Sequence, residues 1–235
     1  MAEKKKKGGL PECLNRQPWK IISGGQTGVD RAALVAAMSW SMGVGGWIPK
    51  GRKAEDGVVP ENFYGLRECS GGYRDRTRAN VNDVNATLIL SDRFPLPGGT
   101  AYTADFAANM GRPFKIVDLD MDDVDVQIRE WMFSLECTDG LSKETIVLNV
   151  VGLKESVSPG IFKKAKDVLH RVFAQFRNET GGDVYAIDDD GSLTAWVDAE
   201  FAEELFSYRR GCRLMFCWLC ASRVSATPIV ELPMQ

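Results

Sequence analysis

Ser23-Gly24-Gly25-Gln26-Thr27-Gly28 lies between a short apolar run and an alanine-rich one. Glycines in such a place let the backbone turn tightly and aim its N–H groups at a ligand. A helix starting where the turn ends adds a partial positive charge, which suits a phosphate or another oxyanion. Ser23 and Thr27 can add hydroxyl donors. The string is neither a P-loop, since no Gly-Lys-Ser/Thr follows, nor a GxGxxG fingerprint. With no ligand in view it is a tight turn with Asp30 as a capping acid.

A second turn, Pro97-Gly98-Gly99-Thr100, follows another apolar run that ends at Ser91. Open α/β sheets bind ligands outside the carboxyl ends of their strands, so two such turns point to one anion pocket. Lys50, Gly51, Arg52 and Lys53 precede Glu55-Asp56, and Arg74, Arg76 and Arg78 follow at two-residue steps. Arg74 and Arg78 share a helix face. A solvated face is the ordinary account of such cations, but beside an anion pocket Lys50, Arg52 and Arg74 become ligand-facing candidates. Catalysis would also need a carboxylate, for which Asp105 and Glu55 are the candidates.

These residues must be positioned by regular elements. Residues 19–23 read as a buried strand and residues 29–41 as a helix packed closely through Ala32, Ala33, Ala36 and Ala37. Residues 43–66 are broken by Gly and Pro and read as a long loop. Residues 73–84 read as a helix with Tyr73, Thr77, Val81 and Val84 inward. Strands at 86–91, 114–119 and 145–152 alternate with helices at 98–110, 122–135 and 160–176. Repeated strand–helix units with apolar strands imply an α/β, Rossmann-like, mostly parallel sheet with helices on both faces. From residue 178 the character changes. Residues 183–197 suggest a hairpin with an Asp-Gly turn, Asp198 could cap a helix, and residues 178–235 read as a small α+β appendage.

Composition narrows the function classes. The chain is 44% hydrophobic and 26% charged with a net charge of −3, as expected of a folded protein. Residues 1–18 carry +3 and read as a basic, disordered tail, residues 19–177 are neutral, and residues 178–235 carry −6. A folded part without a basic surplus argues against nucleic-acid binding. No apolar run is long enough to span a bilayer, and a reduced, cytoplasmic protein is expected. Cys217-Trp-Leu-Cys220 has zinc-like spacing, but only Cys212 lies nearby and His170 is the single histidine. Buried cysteines are therefore expected, and no zinc. Asp118, Asp120, Asp122, Asp123 and Asp125 read as a charge cluster at a helix N-terminus.

KIISGGQTGVDRAAL (20–34), GGWIPKGRKAEDGVVPE (45–61), YRDRTRANVNDVNATLIL (73–90), PGGTAYTADFA (97–107) and NVVGLKESVSPGI (149–161) resemble the molybdenum carrier family, also called molybdenum-cofactor carrier-like proteins. The resemblance covers about residues 18–177 and leaves the last 58 outside. It implies a Rossmann-like fold, a positive surface pocket, homo-oligomers, and binding and protection of molybdenum cofactor, with molybdoenzymes as recipients. The residues expected to hold molybdenum cofactor or molybdate are Ser23, Gly24, Gly25, Gln26, Thr27, Gly28, Asp30, Lys50, Gly51, Arg52, Arg74, Ser91, Gly98, Gly99 and Thr100. A side chain at Gly28 or Gly99 should block the ligand while leaving the fold largely intact. The wider superfamily includes the lonely-guy phosphoribohydrolases, whose PGGxGTxxE motif ends in a catalytic Glu. Here that stretch reads Pro97-Gly-Gly-Thr-Ala-Tyr-Thr-Ala-Asp105. The alternative is thus a nucleotide-binding protein or a nucleoside monophosphate phosphoribohydrolase.

Overall fold

The computed structural model describes residues 19–136, 145–176 and 184–197. The basic tail, the helix expected after Asp198 and the three C-terminal cysteines lie outside the described residues. Six strands form one sheet: β1 (Trp19–Ile22), β2 (Gly43–Ile48), β5 (Leu66–Glu68), β6 (Ala86–Ser91), β7 (Phe114–Asp118) and β8 (Ile146–Gly152). Their order is β5-β2-β1-β8-β6-β7, and every neighbouring pair is parallel. Two short hairpins complete the strands, β3 (Lys53–Ala54) with β4 (Gly57–Val58), and β9 (Val184–Ile187) with β10 (Leu193–Val197).

Helices α1 (Val29–Ser39), α4 (Val124–Glu136) and α5 (Ile161–Phe173) pack together on one face of the sheet. Helices α2 (Tyr73–Asn82) and α3 (Gly98–Asn109) pack together on the other, as right-handed crossovers in opposite directions require. Every residue of α1 is buried, and the small side chains of its alanines let it lie close to β8 and α5. Ile161, Ala165, Val168, Leu169 and Val172 form the buried stripe of α5. The β9–β10 hairpin lies against α1, and Ile187 packs on the same core. The fold is the expected Rossmann-like α/β fold.

Two local expectations need correction. Residues 43–66 are not a structureless loop, because β2 sits between β1 and β5. Its glycines lower strand propensity and hide it from the pattern, yet close packing requires them. A Cβ on Gly46 would stand 2.0 Å from the Ser23 carbonyl oxygen. Helix α2 buries Arg76, Thr77, Asn80 and Val81, whereas Tyr73 is exposed. The polar residues take the inner face because they have partners there. Asn80 accepts the Trp47 N–H at 2.7 Å and donates to the Trp47 carbonyl at 2.9 Å, tying α2 to β2.

Candidate anion site

The two glycine turns emerge at the same edge of the sheet. From β8 the chain runs to α5 on one face, and from β6 it runs to α3 on the other. The β8–β6 junction is therefore the topological switch point, where α/β sheets open a crevice. Loops on its two sides are tied together, since Ser158 Oγ donates to Asp92 Oδ2 at 2.7 Å. Beside the crevice, the first turn starts from β1. Ser23 is fully buried and donates to the Val150 carbonyl at 2.6 Å, so its hydroxyl anchors the turn. Gly25 and Gly28 have φ of 70° and 75°, and Gly28 is the N-cap of α1.

Gly28 corrects one expectation. A Cβ there would lie 2.3 Å from the Leu153 carbonyl oxygen, which accepts the Val29 N–H at 3.1 Å. The space over Gly28 is filled by the chain's own backbone, so a side chain there would damage the fold itself. Gly24 meets something different. A Cβ at Gly24 would stand 2.0 Å from Cζ of Arg76, whose guanidinium lies flat against the turn.

Arg76 is buried and donates from Nη2 to Asp30 Oδ2 at 2.9 Å, with their side chains 10% and 5% exposed. Asp30 also accepts the Gln26 N–H at 3.3 Å. Burial pushes the Asp30 carboxyl above its ordinary value, and the Arg76 charge offsets only part of that. Among the described residues, Arg76 Nε has no hydrogen-bond partner. Arg76, rather than the Arg74 expected from the sequence, is the α2 arginine that reaches the first turn. The available signal was its i,i+4 spacing from Asn80, on the side of α2 that also carries Thr77 and Val81.

The β3–β4 hairpin is clamped over the first turn. Arg31 donates to both carboxylate oxygens of Asp56, at 2.5 and 2.8 Å, and to the Gly25 carbonyl at 3.2 Å. The Arg31 bond lowers the Asp56 pKa. Gln26 Oε1 accepts the N–H groups of Thr27 at 3.0 Å and Glu55 at 2.9 Å. Glu55 then reaches across to Thr27, Ser156 and Lys154. Partial burial would raise its carboxyl, but the bonds from Ser156, Thr27 and Lys154 outweigh that and hold it at about 2. Lys154 and Ser156 lie in the 149–161 block that carries the resemblance, but nothing in their types or spacing alone ties them to Glu55.

At the second turn, Gly98 and Gly99 are exposed, and a Cβ on either would meet nothing within 4 Å. The first N–H groups of a helix lack intrahelical acceptors, so this end of α3 offers donors to the crevice. Thr100 is buried and donates to the Gly152 carbonyl at 3.1 Å, tying α3 to β8. Ser91 closes the turn after β6 by donating to the Arg93 carbonyl at 2.8 Å. Asp105 is exposed on α3.

The remaining cations divide. Lys50 is exposed, and Gly51, at φ 76°, donates its N–H to Glu68 at 2.5 Å. Arg52 spends its guanidinium on the Val59 and Pro60 carbonyls at 2.9 and 2.8 Å. Arg74 lies 5.5 Å from the Tyr102 ring centre, and Arg78 donates to the Tyr102 hydroxyl at 2.8 Å. Their shared face is therefore turned to α3. Among the described residues, no group of three His, Cys, Asp or Glu side chains could hold a metal ion. No helix among them is long and apolar enough to cross a membrane.

A Rossmann-like domain with two glycine turns at the carboxyl edge of a parallel sheet, one at its switch point and one beside it, is the class that fold and site define. Within it, the sequence model of the circularly permutated YpsA SLOG family matches residues 21–173, and the chain belongs to that family. The chain is also similar to the crystal structure of the Putative molybdenum carrier protein from Syntrophus aciditrophicus SB. The two share 41% sequence identity at a TM-score of 0.60, over 67% of this chain and 95% of that one. No curated protein matches the chain.

Proposed function

We propose that the chain binds a small phosphorylated anion at this edge and carries it without turning it over. The observation that carries the reading is the Arg76 guanidinium, buried against Gly24 with Nε unpartnered. Asp30 already pairs with one end of the guanidinium, and a buried Nε–H is costly unless an acceptor, such as a ligand oxygen, completes its bonds. The exposed N-terminus of α3 would take a second anionic group, and Lys50 would add charge from the rim. Molybdenum cofactor, with a terminal phosphate and an oxomolybdenum end, has the two anionic ends such a crevice suits. The molybdenum carrier structure at 41% identity supports it as first candidate, with molybdate as the simpler form. Homo-oligomers and molybdoenzyme recipients belong to the same reading.

We favour carriage over hydrolysis chiefly on Glu55, whose bonds to Thr27, Lys154 and Ser156 support a structural carboxylate rather than an acid. Asp105 is exposed on α3, and Glu55 stays ionised at neutral pH. A general acid must hold a proton there. The test combines calorimetry with molybdate, phosphate and adenosine monophosphate, and an assay for ribose 5-phosphate. Binding that falls at least tenfold in Arg76→Leu, with no ribose 5-phosphate from wild type, is expected. Turnover lost in Asp105→Asn or Glu55→Gln would establish the hydrolase instead.

A further inference from the structure

The loop after β8 holds a cluster that the turns do not explain. Thr27 Oγ1 donates to Glu55 Oε1, and so does the Ser156 N–H at 3.1 Å. Ser156 Oγ donates to Oε2, and Lys154 Nζ lies 2.9 Å from that oxygen. Two hydroxyls, a backbone N–H and an ammonium thus converge on one carboxylate. That donor set suits a tetrahedral oxyanion equally well. The cradle is also braced from behind, because Glu155 accepts the N–H groups of Gly160 and Phe162 and fixes the loop between Lys154 and Ser156.

Glu55 does not belong to this loop. It arrives on the β3–β4 hairpin, which is held separately by the Arg31–Asp56 pair and by Gln26 on the Glu55 N–H. Its side chain can therefore turn away while the hairpin stays in place.

We propose that Thr27, Lys154 and Ser156 form an oxyanion subsite that the chain's own Glu55 carboxylate fills, and that an incoming phosphate or molybdate group enters by displacing it. This deepens the function proposed above and rests on it. The internal carboxylate sets a threshold. A free anion must compete with a tethered one, so its apparent affinity falls by the fraction of molecules with the subsite open. A ligand that also engages the glycine turns meets that threshold with extra contacts, whereas free phosphate binds wild type weakly. The device makes the site selective for a larger anion.

The test is calorimetric titration of the full chain with inorganic phosphate and, separately, molybdate. Wild type is compared with Glu55→Ala, Glu55→Gln, and Glu55→Ala combined with Ser156→Ala and Lys154→Ala, each checked for folding by thermal denaturation. Glu55→Ala should bind one or both anions at least tenfold more tightly than wild type. Glu55→Gln, which keeps the shape and loses the charge, should fall between the two. The combined variant should lose the gain. Comparison of the anions shows which one the subsite prefers. Unchanged or weaker binding in folded Glu55→Ala, with Arg76→Leu still impaired, overturns the subsite alone. No binding of either anion by any protein overturns the subsite and the proposed function together.

Discussion

Replacing Arg76 with leucine leaves Asp30 as a buried carboxylate with no counter-charge. The pair is separated by 2.9 Å, and the Asp30 side chain is only 5% exposed. Removing one partner of such a pair costs about 3–5 kcal/mol, because the remaining charge stays desolvated. Asp30 escapes part of this by taking up a proton, so about 3 kcal/mol at pH 7 is the working figure. For a domain of this size that lowers Tm by roughly 6–12 °C. The pH dependence follows from the sign of the shift. The folded carboxyl already titrates above its ordinary 3.8, and losing Arg76 raises it further. Between the unfolded and folded values the unfolded chain binds fewer protons, so stability falls as pH rises through that window. The deficit of Arg76→Leu should therefore be smallest near pH 4, grow as pH rises, and level off above the new folded pKa. Adding Asp30→Asn removes the orphaned charge and should recover all but about 1 kcal/mol. Urea denaturation at several pH values measures all three. A folded Arg76→Leu within about 1 kcal/mol of wild type at pH 7, or a deficit that ignores pH, would refute the reasoning.

Gly28→Ala should destabilise the fold by about 3 kcal/mol or more, read by thermal denaturation, since its Cβ would meet the Leu153 carbonyl at 2.3 Å and φ is 75°. Gly99→Val, whose Cβ meets nothing, should leave stability within about 1 kcal/mol but weaken molybdate or phosphate binding in calorimetry. Lys50→Ala should cost about 1–2 kcal/mol of anion affinity and little stability, while Arg52→Ala, stripped of its bonds to Val59 and Pro60, should lose about 1–2 kcal/mol of stability. Glu55 has its pKa lowered from 4.5 to about 2, so its contribution is present above pH 4.5 and fades towards pH 2. Acid denaturation of Glu55→Gln should accordingly be flatter across that window than wild type.

Residues 19–41 were legible because their cause is local: an apolar run, glycines that turn, then alanines that pack. The second turn was readable for the same reason. Strand β2 was not, since Gly45 and Gly46 answer to the Gly65 and Ser23 carbonyls, which lie outside the strand and are brought to it only by the fold. Among three arginines at alternate positions, spacing alone could not separate the buried Arg76 from the surface pair that flanks Tyr102. Only the partner in space, Asp30, makes that choice. Arg52 looked like a free cation because nothing in its type shows that two carbonyls take its guanidinium. The Lys154–Ser156 cradle was hidden for a similar reason, as its meaning depends on Glu55, about a hundred residues earlier.

The position of β8 also bears on how the chain is made. It is the last strand of the six to leave the ribosome, yet it sits between β1 and β6. Until it emerges, the nascent chain can form only two half-sheets, β5-β2-β1 and β6-β7, each ending in an open parallel edge. About sixty residues separate the end of β6 from the end of β8, roughly 3–12 s of synthesis. During that interval β1 and β6 present unpaired, strongly apolar strands that invite mispairing with other chains. Closure by β8 then joins both halves in one step and assembles the crevice with them. Chaperone demand during translation should accordingly peak before residue 152 clears the exit tunnel and drop sharply after it.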